Sequence, residues 1–141
     1  MSIATIKAKL VTALGGVTAK VYPYLPSNPN ENTFVYLRYE RVNHLMAFSK
    51  TLSRMDFLVG VMTMVPAGTR LEDAVTTLDT YIDSTGTNSI RAAIVAIVDS
   101  PNALLPDASH AHLLSANPVR RYTFNSRHYL GVEMPLEVYT V

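Results

Sequence analysis

Apolar residues recur along this chain with two different periods, and the changes of period mark out its elements. Ile3, Ile6, Leu10 and Leu14 fall on one face of a helix over 2–14, with Ser2 at the cap position. Gly15-Gly16 follows and is expected to stop that helix with left-handed backbone. Val21 to Tyr24 reads as a short strand, and a loop with Pro23, Pro26, Asn28, Pro29 and Asn30 comes next. The period then shortens to two. Over 33–42, Val35, Leu37 and Tyr39 oppose Arg38 and Glu40. Over 52–63, Met55, Phe57, Val59 and Val61 oppose Arg54 and Asp56. The pair reads as an antiparallel hairpin with a long tip near 43–50.

That tip carries His44, Leu45, Met46 and Phe48, whereas loop tips are normally polar. Leu45 and Phe48 either fold back onto their own domain or touch a neighbour. Pro66 and Gly68 break the second strand. Thr69-Arg70-Leu71-Glu72 has the spacing of a capping box, in which hydroxyl and carboxylate each satisfy a free backbone donor. Leu71, Ala74, Val75, Leu78, Tyr81 and Ile82 then keep helical spacing, and the helix is expected to end around Gly86. Ser89 can cap a further helix over 90–98, where Ala92 to Val98 is apolar all round. Periodicity cannot separate helix from strand there; the alanine pairs and the cap position favour helix.

Residues 99–118 hold three prolines and show no clear period, so they are expected to form a long loop. A strand over 119–125 places Tyr122 and Phe124 on one side. The closing strand, from about Tyr129 to Tyr139, alternates cleanly. Leu130, Val132, Met134, Leu136 and Val138 share one face, opposite Glu133 and Glu137. Pro135 cannot donate a ladder hydrogen bond, which places this strand at a sheet edge or turns the missing donor outward. Helix, strands, helices and strands follow one another in blocks. That order predicts one α+β domain over 1–141: a largely antiparallel sheet of about 4–5 strands, with 2–3 helices packed mainly on one face.

Composition changes this picture in one respect. Charged residues are only 16% of the chain against 48% hydrophobic ones. A lone domain of 141 residues needs polar groups to cover its surface, so this balance points to surface covered by other subunits. A net charge of +1 offers no broad footprint for nucleic acid or an anionic membrane. With no cysteine, disulfides and thiolate chemistry are excluded. No apolar run approaches the ~18 residues of a membrane span, and Lys7 and Lys9 interrupt the apolar stretch that a secretory signal would need.

Candidate chemistry is sparse. The glycine patterns that cradle phosphates, and the Gly-x-Ser-x-Gly turn that exposes a serine nucleophile, do not occur. His110 and His112 stand two apart and could give a metal two imidazoles, with Asp107 as the nearest third donor; solvated loop histidines are the plainer reading. Glu72, Asp73, Asp79 and Asp83 lie opposite the apolar stripe of their helix, as a solvated face or as the lining of a lumen. Arg120, Arg121 and Arg127 make a weak basic patch. No enzyme, metal or cofactor is expected.

The ordered layout carries a resemblance. It runs from the N-terminal helix with Gly15-Gly16, through Val21-Tyr22-Pro23 and the strand Phe34-Val35-Tyr36-Leu37-Arg38-Tyr39, to Met55-Asp56-Phe57-Leu58-Val59-Gly60-Val61. Leu71-Glu72-Asp73-Ala74 follows, and the chain closes on Tyr129-Leu130-Gly131-Val132-Glu133-Met134-Pro135-Leu136-Glu137-Val138-Tyr139. This resembles the tail terminator, or neck, proteins of long-tailed bacteriophages. The likeness covers most of the chain and is one of layout. It implies a virion protein, assembled in the host cytoplasm, that forms a ring, commonly a hexamer, on the head-proximal end of the tail tube. Such a ring ends tube polymerisation, meets the major tail tube protein and the head–tail connector, and passes DNA transiently without reading its sequence. Leu45, Met46 and Phe48 of the hairpin tip, with His110, His112, Leu113 and Leu114 of the 99–118 segment, are then expected at subunit or tube contacts. A head-completion or connector protein, a tube subunit, and a small oligomeric binding domain or enzyme unrelated to phages remain alternatives.

Overall fold

The computed structural model describes residues 3–17, 19–26, 31–44, 53–65, 71–83, 85–98, 108–124 and 127–140. In chain order the elements are α1 (Ile3–Leu14), β1 (Lys20–Tyr22), β2 (Thr33–His44), β3 (Ser53–Met64), α2 (Leu71–Ile82) and α3 (Ile90–Val98). β4 (Ala108–Leu113), β5 (Arg120–Phe124) and β6 (Arg127–Thr140) complete the chain. The six strands form one mixed sheet in the order β1-β2-β3-β6-β4, with β5 also on β6. Four pairings are antiparallel and one, β1 on β2, is parallel.

The α+β class is therefore as expected, but the sheet is larger and more mixed than the expected four or five largely antiparallel strands. The extra strand is β4, which lies inside the segment expected to be loop. Its sequence does alternate, His110 and His112 against Ala111 and Leu113, yet two alanines and two histidines give period two little contrast.

The closing strand is also not an edge. β6 pairs with β3 along one side and with β4 and β5 along the other. The Leu114 N–H donates to the Pro135 carbonyl at 3.0 Å, and the Asn117 N–H to the Glu133 carbonyl at 2.8 Å. In a strand a residue's N–H and C=O point the same way. The donor that Pro135 lacks would thus face the connection between β4 and β5, where no ladder partner is required of it.

The core lies between the helices and one face of the sheet. Ile6, Leu10 and Leu14 of α1, Ala74, Leu78 and Tyr81 of α2, and Ile90 and Ile94 of α3 are buried. They pack with Val35, Leu37, Met55, Phe57, Val59, Val61 and the five alternating apolar residues of β6. Helix ends follow two different devices. After α1, the Gly15 N–H bonds to the Val11 and Thr12 carbonyls, and the Val17 N–H to that of Leu14. Among the described glycines only Gly86 has positive φ, at 109°. Gly15-Gly16 thus ends α1 by tightening the last turn and not by the expected left-handed residue. At α3 the expected cap is present: the Ala92 N–H donates to Ser89 Oγ at 3.1 Å. The Ser89 hydroxyl in turn donates to the Asp83 carbonyl, which joins the end of α2 to the start of α3. Ser2 and the capping-box residues Thr69 and Arg70 lie outside the described residues.

Candidate interaction surfaces

The sheet face away from the helices is not simply polar. Phe34, Tyr36, Met62 and Tyr129 are buried there as a second apolar cluster, flanked by Tyr22, Met64 and Tyr122. Two glycines make it possible. Gly60 sits opposite Tyr36 and Gly131 opposite Met62 in the strand register. A Cβ on Gly60 would lie 2.1 Å from Tyr36 Cζ, and one on Gly131 would lie 2.1 Å from Met62 Sδ. Phe34 meets Tyr129 edge-on at 5.6 Å between ring centroids.

Glu133 closes this cluster on its polar side. It accepts hydrogen bonds from the Tyr36 hydroxyl at 3.0 Å and the Tyr122 hydroxyl at 3.2 Å, and lies 3.5 Å from Arg38. Burial, and then the Glu133 carboxylate, push both phenols up from their ordinary value. At the sheet's edge the Tyr22 hydroxyl donates to Glu31, and that bond pushes the phenol up to about 12.

Towards the hairpin end the same face becomes ionic. Arg41 Nε lies 2.8 Å from Asp56, Arg54 lies 3.2 Å from Asp56, and Arg54 also reaches Glu137 at 3.5 Å. The Tyr139 hydroxyl donates to Glu137 at 2.9 Å. These charges cross β2, β3 and β6 in register. A shallow pocket of about 130 Å³ lies among them, lined also by Glu40, Leu114 and Pro135. Its floor is an internally paired ion network, which stabilises the sheet surface without presenting a reactive group. Sequence alternation placed Arg54, Asp56, Glu133 and Glu137 on this face; their pairing depends on strand register, which alternation does not give.

The expected contact residues divide into two groups. Leu45, Met46 and Phe48 lie outside the described residues. His110, His112 and Leu113 belong to β4, the terminal strand of the sheet, and Leu114 follows directly. His110 pairs with Tyr139, His112 with Glu137 and Leu113 with Leu136, so these are strand and not loop positions. Beside β4 lies a second pocket of about 130 Å³, between that strand and α3. Among the described residues it is lined by the apolar side chains Ile94, Val95, Val98, Ala111 and Leu113 together with Arg91 and His112. Val95, which lines this pocket, stands 44% exposed; Leu114 and Val119, at the two ends of the connection from β4 to β5, stand 48% and 40% exposed. The exposed carboxylates Glu72, Asp73, Asp79 and Asp83 lie along α2 and just past its end, as expected of a solvated helix face.

Among the described residues, no three His, Asp or Glu side chains converge as a metal ion would require. No described helix is long and apolar enough to cross a membrane. Compared with known proteins, the chain matches no family model and no curated sequence.

Proposed function

We propose that this chain is a structural virion subunit that forms a ring, a hexamer, at the head-proximal end of a phage tail tube. The ring ends tube polymerisation and joins the tail to the head. Its partners are further copies of itself, the major tail tube protein and the head–tail connector, and DNA passes through its lumen without specific contact.

The observation that carries this reading is the open outer edge of the terminal strand β4, beside the partly apolar pocket it forms with α3. Val95 of α3 stands exposed at that pocket, and Leu114 and Val119 are exposed in the connection from β4 to β5, whereas the charges on the sheet face pair with one another. A ring needs one patch of a subunit to meet a different patch of the next. An open strand edge with a partly apolar pocket beside it supplies such a patch, and interfaces are depleted in charge as this chain is.

The test is assembly in the presence of tube protein. Purified chain, viewed by electron microscopy, is expected to form single rings and to cap tubes of the major tail protein at one end, halting their growth. Self-assembly into long tubes would make it a tube subunit instead. Tubes that grow unchanged at a molar excess of the chain would overturn the terminator reading. Phe48→Asp tests the hairpin tip: rings and tail joining that survive this change would remove the tip from the contact surface.

A further inference from the structure

The register of the sheet fixes which backbone groups face outward at its two flanks. The Met64 N–H donates to the Asn32 carbonyl, and the Val65 N–H to the His128 carbonyl. Even-numbered residues of β3 therefore turn their N–H and C=O towards β2, and odd-numbered ones towards β6. Beyond the bulge at Tyr39/Arg41, Arg41 and Asn43 face Asp56 and Arg54. Val42 and His44 then present their backbone groups on the outer side of β2. β1 pairs only with residues 34–36 of β2, so no described strand covers that side. On the opposite flank the Leu114 N–H points to β6, so Ala111 and Leu113 direct their backbone groups outward from β4.

From this geometry we infer that neighbouring copies join edge to edge, the outer side of β2 in one copy pairing antiparallel with the outer side of β4 in the next. The inference rests on the ring reading and specifies its interface. Strand direction supports it. β2, β3, β6 and β4 alternate through three antiparallel pairings, so β4 runs opposite to β2. Placing a second copy beside the first in the same orientation brings β2 against β4 antiparallel, and the alternation continues around a ring.

Side chains agree with the backbone. Val42, Ala111 and Leu113 all pack towards the helix-side core, and directly paired residues must share a face. With Val42 opposite Ala111, a regular ladder would set Glu40 of one copy opposite Leu113 of the next; the extra residue of the bulge between Tyr39 and Arg41 brings Tyr39 beside it instead. Tyr39, 38% exposed, then reaches the apolar pocket formed by Ile94, Val95 and Val98. The β4 sequence Ala-Ser-His-Ala-His-Leu holds no Lys, Asp, Glu or Pro. Those are the residues that guard an edge against pairing, and their absence fits an edge that a partner covers.

The experiment uses two proline variants, each blocking one flank. Val42→Pro and Ala111→Pro remove only outward donors and leave the pairing within the subunit intact. Circular dichroism and thermal unfolding check that each folds; native mass spectrometry counts the copies. Each variant alone is expected to lose the ring at concentrations where the native chain assembles completely. Mixed one to one, they retain one sound junction between them and should stop at a dimer. Rings formed by either variant alone, or a mixture that stays monomeric, would overturn the edge pairing while leaving the ring itself in place. A native chain that stays monomeric, alone and with tube protein, removes the ring reading and this inference together. Should proline unfold either variant, Tyr39→Asp and Val95→Asp put the same question through side chains, with loss of the ring expected and unchanged rings overturning the pairing.

Discussion

At the scale of single residues, the second cluster depends on side chains that glycine leaves room for. Tyr36 lies flat over Gly60, with Cζ, Cε1 and Oη within 2.5 Å of where a Cβ would stand. Its ring is buried and held at the hydroxyl by Glu133, so it cannot swing away. Met62 over Gly131 is a flexible thioether and can yield. Gly60→Ala is therefore expected to cost about 2–3 kcal/mol of stability, and Gly131→Ala clearly less, as read by chemical denaturation. Equal costs would contradict the packing argument. Tyr36 also gives the chain an alkaline limit. Its folded pKa is raised above the ordinary 10.0, so above pH 10 the unfolded chain releases a proton that the folded chain keeps. Stability is then unaffected below pH 10 and falls above it, by up to about 1.4 kcal/mol per pH unit for this tyrosine. Tyr81 and Tyr122 act in the same direction. Tyr36→Phe should flatten the fall above pH 10 in urea titrations, even though it loses about 1 kcal/mol at neutral pH with its hydrogen bond.

At the scale of elements, the sequence was legible wherever a strong contrast repeated. Leu130 to Val138 against Glu133 and Glu137 gave the closing strand and the face it buries; Leu71 to Ile82 at helical spacing gave α2, of whose stripe Ala74, Leu78 and Tyr81 are buried while Leu71 and Val75 stay exposed. Ser89 marked the start of α3 among residues too uniformly apolar for periodicity to sort. Because its hydroxyl also holds the end of α2 and is buried, Ser89→Ala should cost about 1–2 kcal/mol, the upper part of the range for a cap. A midpoint shift in thermal unfolding checks this, and a change within error would mean that solvent replaces both bonds. What stayed hidden depended on partners distant in sequence. β4 became a strand because residues 136–140 offered it a free side, which no local pattern reports. Pro135 pointed either to an edge or to an outward-turned donor, and the second holds. The strand is central, and its missing N–H points to the one stretch where neither β4 nor β5 pairs with it. Of the expected contact residues, His110, His112, Leu113 and Leu114 gained a definite place, while nothing in their sequence announced the pocket that α3 adds beside them.

At the scale of the whole molecule, the charged side chains on the open face of the sheet are paired within the chain, while exposed apolar ones are not gathered with them. The ion pairs among Arg41, Arg54, Asp56 and Glu137 lie on the sheet face, where each charge has its partner within the chain. Exposed apolar groups lie at several places: Tyr24 and Leu25 after β1, Tyr39 on β2, Leu71 and Val75 on α2, Val95 on α3, and Leu114 and Val119 between β4 and β5. A stable fold does not require the last two, since Leu114 and Val119 contribute little burial to the core. Folding and assembly should therefore separate on mutation. Leu114→Asp and Val119→Asp are expected to leave unfolding free energy within about 0.5 kcal/mol of the native value, as exposed positions do. The same variants should lose rings in solution and fail to cap tubes, because a charge added at an exposed position beside the proposed junction must be desolvated when a neighbour covers it. Denaturation curves and electron microscopy on the same preparations test both halves at once. If capping persists with either variant, Leu114 and Val119 are ordinary surface and the contacts lie elsewhere. If stability falls by several kcal/mol, these residues serve the core and not assembly.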